Sequence, residues 1–226
     1  ALFLDMFLFE IHKTLHKNKK PNFSTIFLNA GAHIQHHYFF NSPYVKSKEL
    51  KNPSWYINDN FDPMLEMLIV YDRLISDLIK QPNSELIIAT GLSQKPYTNL
   101  KFYYRLKDHK SFLDDIGIKY SDVMPRMTRD FLISFESNED ARIAEEKLST
   151  ILVNSDKQLF GEIDNRGKDI FVVLTYPLEI KDDTYIDFQD QKIALFNRVI
   201  FVAVKNGEHH SKGYTYFSKG LSEFKP

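Results

Sequence analysis

The stretch Phe27-Leu-Asn-Ala-Gly-Ala-His-Ile-Gln-His-His-Tyr-Phe-Phe40 sets three histidines, His33, His36 and His37, within five positions, directly after the apolar run Ile26-Phe27-Leu28. A short apolar run, then small residues, then polar ones, predicts a buried strand over 22–29 that delivers the histidines to its C-terminal end. In open α/β sheets that edge is where ligands bind. Histidine is the commonest protein ligand for transition metals and a base near neutrality. The cluster therefore points to chemistry.

Working outward, Asp62-Pro63 opens a helix with proline in its first turn. Met64, Leu65, Leu68, Ile69, Ile75, Leu78 and Ile79 carry a helical period to about residue 79. Pro82-Asn83-Ser84 ends it, and Glu85–Thr90 reads as a second buried strand. Strand, helix and strand of these lengths predict a right-handed βαβ unit in a parallel sheet. Residues 41–60, rich in Asn, Pro, Ser and Lys, read as an irregular excursion.

Upstream, Ala1–Ile11 is apolar but interrupted by Asp5. It is too short to span a bilayer and has no basic region of a signal peptide before it. Apolar residues at 4, 7, 8, 11 and 15 predict one face of a helix, ended by the polar turn Lys17–Pro21. A start without Met, running straight into core-like sequence, gives the expectation of a fragment.

Past Gly91 the character changes. Leu100–Arg105 reads as extended, Lys110–Ile116 as a short helix, and Arg129–Phe135 alternates like a strand. Ser137-Asn-Glu-Asp140 has the spacing of a capping box and opens a helix to about Val153. Leu159–Ile163 and Asp169–Leu174 then flank the hairpin turn Asp164–Gly167. This β-α-β-β run predicts half of a ferredoxin-like sandwich, with Ile143, Ala144, Lys147, Leu148 and Ile151 covering a sheet face of Phe131, Ile133, Phe135, Phe171 and Val173. A final strand, Arg198–Val204, leads into Asn206-Gly-Glu-His-His-Ser-Lys-Gly213.

With 29 basic against 30 acidic residues the chain has no general field to attract nucleic acid or acidic membranes. The absence of cysteine rules out disulfides, thiolate catalysis and Cys-ligated zinc. A cytoplasmic location is the expectation, and oligomeric state is not legible.

Three segments resemble, in order, the C-terminal half of the alkaline phosphatase superfamily, nearest its type I phosphodiesterase and nucleotide pyrophosphatase branch. Ala32-His-Ile-Gln-His36-His-Tyr-Phe39 resembles that family's Asp-x-x-x-His segment, with His36 at the ligand position. Tyr71-Asp72 to Leu78 resembles the helix between its motifs, and Glu208-His209-His-Ser-Lys-Gly213 its final His motif, with His209 at the ligand position. The resemblance implies a three-layer α/β domain over 1–100 and 186–226, built on a parallel sheet, with an inserted α+β subdomain over 101–185. It implies hydrolysis of a small phosphate or sulfate ester. Ala32 stands where that family has Asp, and Leu86–Leu92 where it has Asp-His-Gly, so the usual pair of metals is not expected. At most one divalent ion, zinc or similar, is expected on His36 and His209, which should approach each other. His33, His37 and His210 are accessory candidates. Thr90 reads as a β-branched strand end rather than a nucleophile, and Asp72 as a solvated carboxylate. The alternative is a non-catalytic binding or assembly protein that keeps the fold.

Overall fold

The computed structural model describes residues 1–45, 50–189 and 191–224, so positions 46–49 of the expected excursion lie outside it. The chain divides into two compact units, one of residues 1–100 with 205–226 and the other of 101–204.

The first unit opens with α1 (Leu2–Lys19), α2 (Ala30–Tyr38) and α3 (Pro63–Ile79), followed by β1 (Ile87–Thr90). β2 (Ser93–Leu106) carries the chain into the second unit, which contains α4 (His109–Asp115), β3 (Asp122–Pro125), β4 (Asp130–Ser134) and α5 (Asn138–Ser149). There follow β5 (Leu152–Val153), β6 (Lys157–Gln158), β7 (Phe160–Asn165), β8 (Asp169–Leu174), β9 (Tyr185–Phe188) and β10 (Gln191–Ala194). β11 (Val199–His210) brings the chain back to the first unit and β12 (Tyr214–Phe217) follows.

The fold is mixed α/β with antiparallel sheets, and the expected parallel βαβ unit is not formed among the described residues. β1 pairs antiparallel with β12, Thr90 lying opposite Tyr214 and Ile87 opposite Phe217. Residues 24–29 form no strand. A strand needs a neighbour to take its backbone hydrogen bonds, and none pairs with this segment. Phe23 and Phe27 are each 81% exposed. The histidines consequently sit on α2, not at a strand end.

α1 and α3 fall where the periodicity puts them. In α3 the Asp62 carboxylate accepts the Leu65 N–H at 3.1 Å, with Pro63 next to the cap. The apolar face expected of α1 is inverted, however. Leu4, Phe7, Leu8, Ile11 and Leu15 are exposed, while Asp5 and Phe9 are the buried positions. Asp5 is buried because α2 has no cap of its own. One Asp5 oxygen accepts the Asn29 N–H at 3.2 Å, and the other accepts Ala30 N–H at 2.9 Å and the Tyr71 hydroxyl at 2.6 Å. Tyr71 in turn accepts the Gly31 N–H at 2.8 Å. Burial, and then the hydrogen bond to Asp5, push the Tyr71 hydroxyl well above its ordinary pKa.

In the second unit β3, β4, β8 and β7 form a four-stranded antiparallel sheet in that order. Ser137 caps α5, its hydroxyl accepting the Asp140 N–H at 3.1 Å and donating to the Asp140 carboxylate at 2.6 Å. The hairpin between β7 and β8 turns through Gly167 at φ 91°, a left-handed conformation that favours glycine. The β-α-β-β unit forms, but α5 ends at Ser149 instead of near Val153, leaving Ile151 beyond the helix just before β5, and there are two shifts of face. α5 buries Ala141, Ala144 and Leu148, while Ile143 is 42% exposed. Leu132 pairs with Phe171 and Ile133 with Ile170. The covered face is therefore Phe131, Ile133, Ile170 and Val172, all fully buried, and Phe171 belongs to the other face. The Lys147 ammonium reaches the Gly117 carbonyl at 2.8 Å, so its half-buried stem packs and its charge stays accessible. A second antiparallel sheet, β10-β9-β5-β6, completes the unit.

No helix among the described residues is long and apolar enough to cross a membrane.

Candidate functional site around His36 and His209

α2 and the 205–209 end of β11 carry the site, both in the first unit. Alternate residues of a strand face the same side, and Lys205, Gly207 and His209 each meet α2. Lys205 Nζ lies 3.3 Å from His37 Nε2, the Gly207 carbonyl 2.7 Å from His36 Nδ1, and His209 Nε2 3.1 Å from His36 Nε2. The close approach depends on glycine at 207. A Cβ there would meet the Gln35 carbonyl at 2.7 Å and the Phe39 ring at 2.8 Å.

Behind the histidines lies a buried amide network. Asn206 is fully buried, and its side chain exchanges reciprocal hydrogen bonds with Asn52 at 2.8 and 2.9 Å. It also accepts the Phe40 N–H at 3.1 Å, while Asn52 donates to the His37 carbonyl at 3.3 Å. Satisfied networks of this kind fix geometry because any member left alone is costly. Here they tie the end of α2 to β11.

The partners also fix proton positions. A carbonyl only accepts, so His36 carries its proton on Nδ1 and presents the Nε2 lone pair to His209. An ammonium only donates, so His37 Nε2 is the acceptor and Nδ1 faces the Tyr56 hydroxyl at 3.3 Å. Burial lowers the His36 pKa, and Lys205, His209 and His33 lower it further against the opposing Gly207 bond. Burial also lowers His33, whose ring centroid lies 4.7 Å from that of His37. Burial thus favours the neutral form of His36 and of His33.

His36 and His209 are thus brought together across 173 residues. His33 and His37 sit beside them on α2, their own rings 4.7 Å apart between centroids. His210 takes separate partners, Ser93 Oγ and the Lys212 N–H, both at 3.4 Å from its Nδ1. Thr90 Oγ1 accepts the Tyr214 N–H at 2.9 Å, a structural bond of the β1–β12 pair. Lys205, Gly207, Asn52 and Asn206 were not singled out from sequence. The one signal for them was the Asn-Gly interruption of an apolar strand just before the terminal histidines.

Two nitrogen donors on one zinc at ~2.0–2.1 Å in tetrahedral geometry stand about 3.3 Å apart. The 3.1 Å separation fits that, as does the carbonyl holding the far nitrogen of His36. Without an ion the same distance serves an N–H···N hydrogen bond. Among the described residues no group of three or more His, Cys, Asp or Glu side chains is placed to hold a metal. The two donors therefore supply part of what one ion needs. The chain matches no family model, no curated protein and no solved structure.

Proposed function

We propose that the first unit carries a one-metal site of a phosphate- or sulfate-ester hydrolase-like protein related to the alkaline phosphatase superfamily, with His36 and His209 as its imidazole ligands. The observation that carries this is the Nε2–Nε2 distance of 3.1 Å with His36 Nδ1–H committed to Gly207. A divalent ion there would polarise an ester oxygen or acidify a bound water. The chain's own contribution is to hold His36 neutral and aimed, through Gly207 and the burial of α2, and to set the Lys205 cation on the same strand face. The parallel sheet of that superfamily is no part of this support.

Titrating the whole chain with Zn2+ by calorimetry tests the reading. About one ion per chain, lost in His36→Ala and in His209→Ala, is expected, together with zinc-dependent turnover of a nitrophenyl phosphodiester or sulfate. Zinc binding unchanged by either substitution would sink the site. Zinc binding without turnover would favour the second reading, a non-catalytic binding or assembly protein. That reading draws on the apolar side chains exposed on α1 and at Phe23 and Phe27.

A further inference from the structure

We infer that the Gln94 side-chain carbonyl is a third donor at the His36–His209 site, an assignment that rests on the metal reading above. Gln94 Nε2 lies 3.4 Å from the Ala32 carbonyl. A carbonyl can only accept, so this contact decides which end of the amide is which. The other end, Oε1, is buried and has no hydrogen-bond partner. An unpaired buried carbonyl keeps the cost of its lost hydration. In native structures such a group calls for an explanation, a bound water or a bound ion among them.

Its position supplies that explanation. Ser93 touches His210, and Lys95 pairs with Glu208 at 3.1 Å, across the β2–β11 pair. Gln94 lies between them on β2 as His209 lies between their partners on β11, a spacing that sets the two opposite each other. Ala32 lies one turn before His36 on α2, so the two share a helix face. Gln94 thus meets α2 one turn from His36, while His209 meets His36 itself. The orphan oxygen belongs to the corner where the two imidazole nitrogens converge.

Two imidazoles and an amide oxygen suit a borderline cation such as Zn2+ or Co2+. All three donors are neutral, so the ion keeps its full charge. Its remaining position then favours an anionic oxygen, which a phosphate or sulfate monoester or diester offers.

Co2+ and Zn2+ binding to the whole chain, followed by calorimetry and by the visible absorption of Co2+, tests the assignment. Gln94→Leu removes the oxygen and should weaken binding about tenfold or more. Gln94→Glu keeps the oxygen and adds charge, so it should tighten binding, and the Co2+ spectrum should shift in both variants. A misfolded site would weaken binding in both, so opposite directions for the two variants cannot come from lost structure. If Gln94→Leu binds as tightly as the parent while His36→Ala abolishes binding, the Gln94 assignment is wrong and the metal site stands. If both Gln94 variants weaken binding equally, the oxygen is not a donor and the assignment is overturned. If the parent chain binds neither ion, the metal reading and this inference fall together.

Discussion

The second unit has a dense interior of large side chains. Phe112, Phe131 and Phe160 meet edge to face at 5.8 and 5.9 Å, and Leu148, Ile133 and Ile170 close around them with no measurable exposure. The first unit is built the other way. Its α1 exposes Phe3, Leu4, Met6, Phe7, Leu8, Ile11 and Leu15, while a carboxylate on the same helix is buried. The first half of α1 is apolar nearly all round, which is the character of a core segment, yet its buried positions are only Phe9 and Asp5. The contrast teaches that one unit rests on an apolar core, while in the other the buried Phe9, Ile34, Phe39, Met67 and Leu74 are joined by satisfied polar networks: Asp5 with Tyr71, Asn52 with Asn206, His36 with Gly207.

The contrast would break first at Phe131. Replacing it with Ala should cost about 3–5 kcal/mol in denaturant unfolding and remove hydrogen-exchange protection mainly within 101–204. Protection lost equally throughout would mean that the units unfold as one. The next effect is smaller and falls in the other unit. Asn206→Ala leaves the Asn52 amide and the Phe40 N–H without their partner, for about 1–3 kcal/mol. The Co2+ or Zn2+ affinity should fall with it, because Gly207 and His209 adjoin Asn206 on the strand.

Acid sharpens the comparison. Burial lowers His12, His33 and His36 in the first unit, and His109 in the second. For each, the unfolded chain takes up its proton first as pH falls. Their contribution to stability is therefore complete above the unfolded value near 6.5 and declines as pH drops from there toward the lowered folded value. Amide exchange at pH 7.5 and 5.5, corrected for the intrinsic rate, should show the larger loss of protection in residues 1–100 and 205–224. A larger loss in 101–204 would contradict this. The smallest effect belongs to Phe7→Ser, which should change stability by no more than ~0.5 kcal/mol because the ring stands in solvent. A loss of several kcal/mol, with a change of molecular mass in light scattering, would show that another surface covers α1.

What could be read from sequence was local. The Asp62-Pro63 start of α3, the Ser137–Asp140 box of α5 and the Gly167 turn each depend on residues a few positions apart. The segment 22–29 misled because apolar composition specifies a strand only when a neighbour takes its hydrogen bonds. The face of β8 misled for a related reason. Ile170–Leu174 is apolar throughout, so only its pairing with β4 decides that Ile170 and Val172 turn inward. At the site, motif order placed His36 near His209. Gln94, Lys205 and Gly207 stayed hidden because their relation to α2 exists only once β2 and β11 are paired.

Asp5 has a consequence for the order of assembly. α2 is nine residues long, shorter than the ~12–15 that hold a helix in water unaided, and its first turn is closed by a carboxylate lying 24 and 25 residues upstream. The loop between them must close before that turn is satisfied, with an entropic cost that grows only slowly with its length. The stability of α2, and with it the aim of His36, should therefore depend on the docking of α1. A ligand that binds His36 would be felt at Asp5, so occupancy of the histidine pair should slow amide exchange at Asn29 and Ala30, far along the chain from His209.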